Sequence, residues 1–226
     1  MKTVAIIPAY NEQGRIRAAV LDAALFCDEV VVVDDGATDG SGEDARNAGA
    51  HVLRHVMNRG QGAALQTGTN YAVDQLDADI IIHFDADGQM QGKDIPELIA
   101  PILRDDADVV LGSRFLGKES NMPLGRRVTL KLALLFTRIF SGIPVTDPHC
   151  GFRALGRTAA QNIELRQDRM AHASEILDLI HSAKLRYVGC PVEIRYTDDT
   201  LEKGMGFFDG FTVLKDYFKH KFFDSI

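Results

Sequence analysis

Residues 79–89 read DIIIHFDADGQ: an apolar run, Ile80 to Ile82 followed by His83 and Phe84, that stops at two carboxylates one residue apart. A continuous apolar run bounded by polar residues is the pattern of a strand buried on both faces, as in a parallel sheet. Asp85 and Asp87 then lie at the strand exit, and in an open α/β sheet the carboxyl ends of strands are where ligands bind. Two acidic side chains so close repel each other, and a hard divalent cation bound through oxygen relieves that repulsion. The competing reading of the same residues is a polar turn with a solvated Asp pair.

The flanking sequence repeats the pattern. TVAII at 3–7 is a short apolar strand closed by Pro8, which cannot donate to a central ladder, and EVVVVD at 29–34 is a second buried strand ending in Asp34-Asp35 before GATDGSG. Helical spacing is predicted over 12–26, 42–48 and 62–76, with a further strand at 50–54. Beyond the Asp pair come a helix at 94–103 and the strand DVVLG at 108–112, after which the alternation stops at SRFLGKESNMPLGRR, 113–127. An amphipathic helix from Val128 to Phe140 follows, then TDPHCGFRAL as a turn into a short strand, a helix at 172–184 and the strand RYVGCPVEIRY at 186–196. Such alternation predicts an α/β fold with a mostly parallel sheet and helices on both faces. Residues 207–226 read as an aromatic-rich amphipathic helix, so the expected organisation is one domain over 1–206 with a helical tail over 207–226.

With 226 residues the chain is long enough for a substantial core, and its formal charge of -7 argues against a nucleic-acid partner. Three widely spaced cysteines, Cys27, Cys150 and Cys190, lack zinc-ligand spacing and read as reduced thiols of a cytoplasmic protein. Pro8 and Asn11-Glu12 cut the N-terminal apolar run far short of a signal sequence, and the window 128–143 contains Lys131 and Arg138 and is too short to span a bilayer. The expectation is a protein that is soluble or held peripherally on the cytoplasmic face of a membrane.

Four predicted strand exits carry polar groups: Pro8 to Glu12, Asp34 to Gly36, Asp85 to Asp87, and Gly112 to Arg114. In a parallel sheet all four open on one edge, as a nucleotide site in a crevice requires. Asp35 is placed to accept from a base or ribose donor, and the Tyr10 ring to pack on the base, although cap and turn roles would use the same residue types. NRGQGAALQTG, 58–68, is glycine-rich where a helix starts. It suits close approach to a diphosphate or close helix packing on the sheet. It is not a Walker loop, and the first strand–helix turn lacks G-x-G-x-x-G, so ATPase and dinucleotide oxidoreductase readings are weak. An EF-hand fails because Gly88 precedes Gln89 and no glutamate closes the loop. A phosphate-transferring aspartate pair of the haloacid dehalogenase type would want Thr or Val where Gln89 stands.

Taken in order, PAYNE, VVVDDGATDG, NRGQGAALQTG, FDADGQ, GSRF, TDPHCGFRAL and RYTDDTLEKG resemble the family 2 glycosyltransferases over nearly the whole chain. Within that family the set looks most like the dolichol-phosphate mannosyltransferase and polyprenyl-phosphate glycosyltransferase branch. The resemblance implies the Rossmann-like GT-A fold, a nucleotide-diphosphate-sugar donor such as a GDP- or UDP-sugar, an Mg²⁺ or Mn²⁺ ion, and inverting displacement at the anomeric carbon. It puts Pro8, Tyr10, Glu12, Val33 and Asp35 on the nucleoside, Asp85, Ala86, Asp87 and Gln89 on diphosphate and metal, and Arg114 beside the phosphates. Arg195 and Lys203 resemble the pair that closes over the donor. Cys150 stands where the SGFR-like motif usually has serine, and Thr200 and Met205 replace the serine and glutamine usual around the final lysine.

The chemistry agrees with these residue types. A departing nucleoside diphosphate gains negative charge that a divalent cation and cationic side chains stabilise, which Asp85, Asp87, Gln89 and Arg114 can arrange. An acceptor phosphate needs no general base, whereas a sugar hydroxyl would, with Asp147 or Glu175 as candidates. Arg114, Lys118, Arg126 and Arg127 concentrate cations in an acidic chain, and Arg126 and Arg127 are the expected acceptor-phosphate ligands. Phe207, Phe208, Phe211, Leu214, Phe218 and Phe222 with Lys215, Lys219 and Lys221 suit a membrane surface, the core or a subunit interface, leaving a homo-oligomer or a separate membrane subunit open. The expected activity is transfer of a hexose to a polyprenyl phosphate. The alternatives are a hydroxyl acceptor or a non-catalytic nucleotide-sugar-binding module.

Overall fold

The computed structural model describes residues 1–117, 146–147, 150–169 and 171–195. Lys118, Arg126, Arg127, Lys203, the predicted helix at 128–140 and the tail over 207–226 lie outside them. The described chain builds β1 (Thr3–Ala9), α1 (Ile16–Ala24), β2 (Glu29–Asp34), α2 (Ser41–Asn47), β3 (His51–Arg54), α3 (Gln61–Asp74), β4 (Ile80–His83), α4 (Ile95–Leu103), β5 (Val109–Ser113), β6 (Arg153–Gly156), α5 (Arg157–Asn162), α6 (His172–Ser182) and β7 (Tyr187–Pro191).

The seven described strands form one sheet in the order β3-β2-β1-β4-β6-β5-β7. All pairings are parallel except the two made by β6, which runs antiparallel to β4 and β5. The exception has a topological cause. The chain leaves β5 at the carboxyl edge and enters β6 from that same edge, where the Gly112 N–H donates to the Phe152 carbonyl at 2.9 Å, so β6 must run backwards.

Apolar runs in the strands are buried on both faces, as continuous rather than alternating hydrophobicity requires. Ala5, Ile7, Val30, Val32, Ile80, Ile82 and Val110 pack with Ile16 and Val20 of α1 and Ile95 and Leu98 of α4. Val4, Ile6, Val31, Val33, Ile81 and Val109 face the other way, against Ala64 and Leu65 of α3, Ala159 of α5 and Ile176 and Ile180 of α6. Gly68 lets α3 lie close on the sheet, since a β-carbon there would come within 2.3 Å of Ile6 Cγ2. At Gly62 it would come within 2.0 Å of the Gln167 carbonyl oxygen. Gly62 and Gly68 therefore serve packing.

Two elements differ from expectation. The strand predicted over 186–196 ends at Pro191: the Val192 N–H still meets the Ser113 carbonyl at 3.2 Å, but the amides beyond it leave the ladder, Glu193 N–H donating to Asp94 Oδ2 at 2.7 Å and Arg195 N–H to the Gln89 carbonyl at 2.9 Å. The short helix α5 follows β6 directly, its first N–H donating to the Asp79 carbonyl at 2.8 Å; six residues are too few for a readable period.

Candidate active site

Because β1, β2, β4, β5 and β7 run the same way, their carboxyl ends share one edge, joined there by the start of β6. The Asp pair lies at the middle of that edge, straight after β4. Asp85 Oδ1 accepts from Gln61 Nε2 at 2.8 Å, at the first residue of α3. Asp85 Oδ2 lies against Gly151, where a β-carbon would come within 2.9 Å of it. Asp87 Oδ1 accepts the Gln89 N–H at 2.9 Å, and Gly88 between them has φ 76°, a left-handed conformation that closes the turn. Ala86 is buried, and Gln89 is partly exposed.

Burial, and then the charge of Asp87, push the Asp85 carboxyl up to about 7. That opposition is what a cation would relieve. Among the described residues no group of three or more His, Cys, Asp or Glu side chains is gathered to hold a metal. A cation on the two carboxylates would draw its other ligands from bound phosphate and water, a usual arrangement for Mg²⁺.

A carboxyl with a raised folded pKa holds its proton in the folded chain between about pH 4 and 7 while the unfolded chain has lost it. Stability is therefore lost as pH rises through that window. Asp85→Asn is expected to stabilise the metal-free protein at pH 8 by about 2 kcal/mol, about 4–8 °C in melting temperature, and to change little below pH 4. Thermal melts at the two pH values check this; equal shifts at both would contradict it.

The neighbouring strand ends place the other expected residues. Asp35, 3% exposed, accepts from the Arg59 N–H at 2.9 Å, the Gly60 N–H at 2.6 Å and His55 Nδ1 at 2.7 Å. His55 Nε2 in turn meets Thr67 Oγ1 at 2.9 Å. One carboxylate thus ties the end of β2 to the β3–α3 loop and to α3. Gly36, with φ 73°, has that loop laid directly over it; a β-carbon would come within 2.7 Å of the Met57 carbonyl carbon. Pro8 lies in register with Val33, and the Val33 side chain is directed into the core beside Ile6 and Gly68. Tyr10 is 46% exposed at the end of β1. Glu12 pairs with Arg15 at 2.7 Å, and its N–H donates to Ser41 Oγ at 2.7 Å.

Arg114 forms a buried fork with Asp147, Nε to Oδ2 at 2.6 Å and Nη2 to Oδ1 at 2.7 Å, and its N–H also donates to Oδ2 at 3.1 Å. Of the two general-base candidates, Asp147 is thereby engaged, and Glu175 accepts the Arg166 and Gln167 N–H groups at 2.9–3.1 Å. Arg195 lies beside the Asp-pair loop through its hydrogen bond to Gln89.

Three residues to which the sequence assigned no role in the site complete it from beneath. Arg153 is 1% exposed, opposite His83 in the β4–β6 register, and its charge acts on Asp85, Asp147, His83 and His172. Burial and then the Arg153 charge hold His83 down to about 3 and His172 to about 4, so both are neutral near pH 7. Arg153 Nη1 and His83 Nδ1 are buried without a hydrogen-bond partner among the described residues. A histidine in IIIHF and an arginine in FRAL, each inside a short apolar run, were the available signals. Their pairing was not readable, because β6 reaches β4 only through the reversed strand. The cysteines form no disulfide among the described residues, and burial pushes Cys27 and Cys150 up to about 12.

Among the described residues no helix is long and apolar enough to cross a membrane. The sequence pattern of glycosyl transferase family 2 matches residues 4–163. The chain is 32% identical over 231 residues to the UDP-N-acetylglucosamine–dolichyl-phosphate N-acetylglucosaminyltransferase of Methanococcus voltae, covering 92% of this chain and 91% of that one. It is 34% identical over 179 residues to the undecaprenyl-phosphate mannosyltransferase of Micrococcus luteus, covering 73% of this chain and 70% of that one. In fold it matches glucosyl-3-phosphoglycerate synthase from Mycobacterium tuberculosis, solved with Mn²⁺, UDP and glucosyl-3-phosphoglycerate. The TM-score is 0.67 over 94% of this chain and 78% of that one, at 20% identity. The family match and these relatives agree with the sheet order and the acidic edge: the chain belongs to glycosyl transferase family 2 and is a glycosyltransferase of GT-A fold.

Proposed function

We propose that this protein is an inverting, metal-dependent enzyme that moves a hexose from a GDP- or UDP-sugar to a polyprenyl phosphate at the cytoplasmic face of a membrane. The observation that carries the reading is the convergence of Asp35, Asp85, Asp87, Arg114 and Arg195 on one sheet edge in a family 2 chain whose named relatives include dolichyl- and undecaprenyl-phosphate transferases. In this reading Pro8, Tyr10, Glu12 and Asp35 frame the nucleoside, with Val33 packed in the core behind them, and Ala86 and Gln89 shape the diphosphate position. Arg195 and Lys203 close over the donor, and the tail over 207–226 contacts the membrane surface.

Asp85 and Asp87 would hold Mg²⁺ or Mn²⁺, which when bound supplies positive charge to the departing diphosphate. An oxygen of the acceptor phosphate attacks the anomeric carbon as the bond from that carbon to the donor's β-phosphate oxygen breaks, leaving the nucleoside diphosphate. The acceptor is already an anion, so no proton is removed in the step. The engagement of Asp147 with Arg114, and of Glu175 with two main-chain N–H groups, supports a phosphate acceptor over a hydroxyl. Replacing Arg126 and Arg127 together by Gln is expected to raise KM for a polyprenyl phosphate about tenfold or more, or to lower kcat similarly, while donor affinity stays nearly unchanged. Kinetics of the double variant that match the parent would put a hydroxyl acceptor ahead.

A further inference from the structure

After β7 the chain turns across the sheet edge and is pinned at three main-chain points: the Val192 N–H on the Ser113 carbonyl at 3.2 Å, the Glu193 N–H on Asp94 Oδ2 at 2.7 Å, and the Arg195 N–H on the Gln89 carbonyl at 2.9 Å. The last of these fixes the Arg195 backbone two residues beyond Asp87, whichever way its side chain turns. That side chain is 58% exposed, and its Nε donates to Glu193 Oε1 at 3.1 Å. The other Glu193 oxygen, Oε2, takes Lys93 Nζ at 2.5 Å.

We infer that Glu193 is a latch: it holds the Arg195 side chain in a parked position and competes with the donor diphosphate for it. The inference rests on the reading of Arg195 as a donor-phosphate ligand. Three features fit a latch rather than a fixed strut. The Arg195–Glu193 contact is made by Nε, not by the two-pronged face of the guanidinium, and exposed pairs of this kind are weak and screened by salt. A diphosphate carries more charge and offers paired oxygens that match the guanidinium fork, so it can draw Arg195 away. Lys93 stays on Glu193 when Arg195 leaves, so release strands no carboxylate. On departure of the nucleoside diphosphate, Glu193 recaptures Arg195. Glu193 is thus a positioning residue that lowers affinity for donor and product alike.

Calorimetric titration of the full chain with UDP and with GDP, each with Mn²⁺, tests this in four forms: parent, Glu193→Gln, Arg195→Gln and the double variant. Glu193→Gln is isosteric and keeps the main-chain bond to Asp94, and a melting temperature near the parent's verifies its fold. The expected result is binding about two- to fivefold tighter in Glu193→Gln. Binding should be about tenfold weaker in Arg195→Gln, with no further change when Glu193→Gln is added. Tightening of equal size in both backgrounds would be a general effect of removing a negative charge and would overturn the latch. Unchanged affinity in Glu193→Gln, with Arg195→Gln weakened, would overturn it as well. Arg195→Gln binding like the parent would instead remove the donor reading of Arg195 on which the latch rests.

Discussion

Replacing Asp87 by alanine is expected to lower sugar transfer by about a thousandfold or more while the protein stays folded. The side chain is partly exposed on a turn outside the sheet, where it accepts the Gln89 N–H at 2.9 Å, and loss of that bond costs about 1 kcal/mol of stability. Its electrostatic role is larger. Asp87 is the second cause, after burial, of the raised pKa of Asp85, and the pair forms a centre of negative charge that a divalent cation neutralises. With Asp87 gone, Asp85 titrates closer to an ordinary carboxyl and half of the protein's charge toward a cation is lost. Nucleoside diphosphate binding should then no longer respond to Mn²⁺. Steady-state turnover, and titrations with and without Mn²⁺, check both parts; turnover within tenfold of the parent would remove the Asp pair from the chemistry.

Asp35→Ala is expected to damage the fold and the site together. This carboxylate is almost fully buried and accepts two main-chain N–H groups and His55, which itself braces Thr67 on α3. Alanine strands the Arg59 and Gly60 N–H groups and cuts the tie between the end of β2 and the loop that crosses Gly36. Removing one partner of such a buried, charge-assisted network costs about 3–5 kcal/mol, about 6–20 °C in melting temperature for a chain of this size. Asparagine keeps an acceptor oxygen and should fall between. A melting temperature within 2 °C of the parent for Asp35→Ala would show that the loop is held by other contacts.

The sequence made the parallel core legible because β1, β2 and β4 are buried on both faces, so VAII, VVVV and III carry apolar residues at successive positions rather than at alternate ones. The acidic strand exit was legible for a related reason: two carboxylates after such a run mark the end of the strand and so an edge of the sheet. What the pattern could not give was pairing over distance. Arg114 and Asp147 are 33 residues apart and find each other only because β6 returns to the edge where β5 ended. The same reversal puts Arg153 beneath Asp85, and a four-residue strand carries no sign of its direction. His55 reads in sequence as the residue after a short strand, and its role exists only once Asp35 and Thr67 flank it. Main-chain partners are equally silent, and the bond from Arg195 to Gln89 is the case with most consequence for the donor side.

The most direct measurement follows the sugar itself. The full chain is incubated with Mn²⁺, an undecaprenyl phosphate acceptor and, in turn, GDP- and UDP-hexoses whose anomeric linkage is α, and the lipid product is read by NMR. The account predicts a hexose joined through one phosphate to the polyprenol with β configuration, formed only when the divalent cation is present. A product of retained α configuration, or sugar delivered to hydroxyl acceptors while the lipid phosphate stays unmodified, would contradict it.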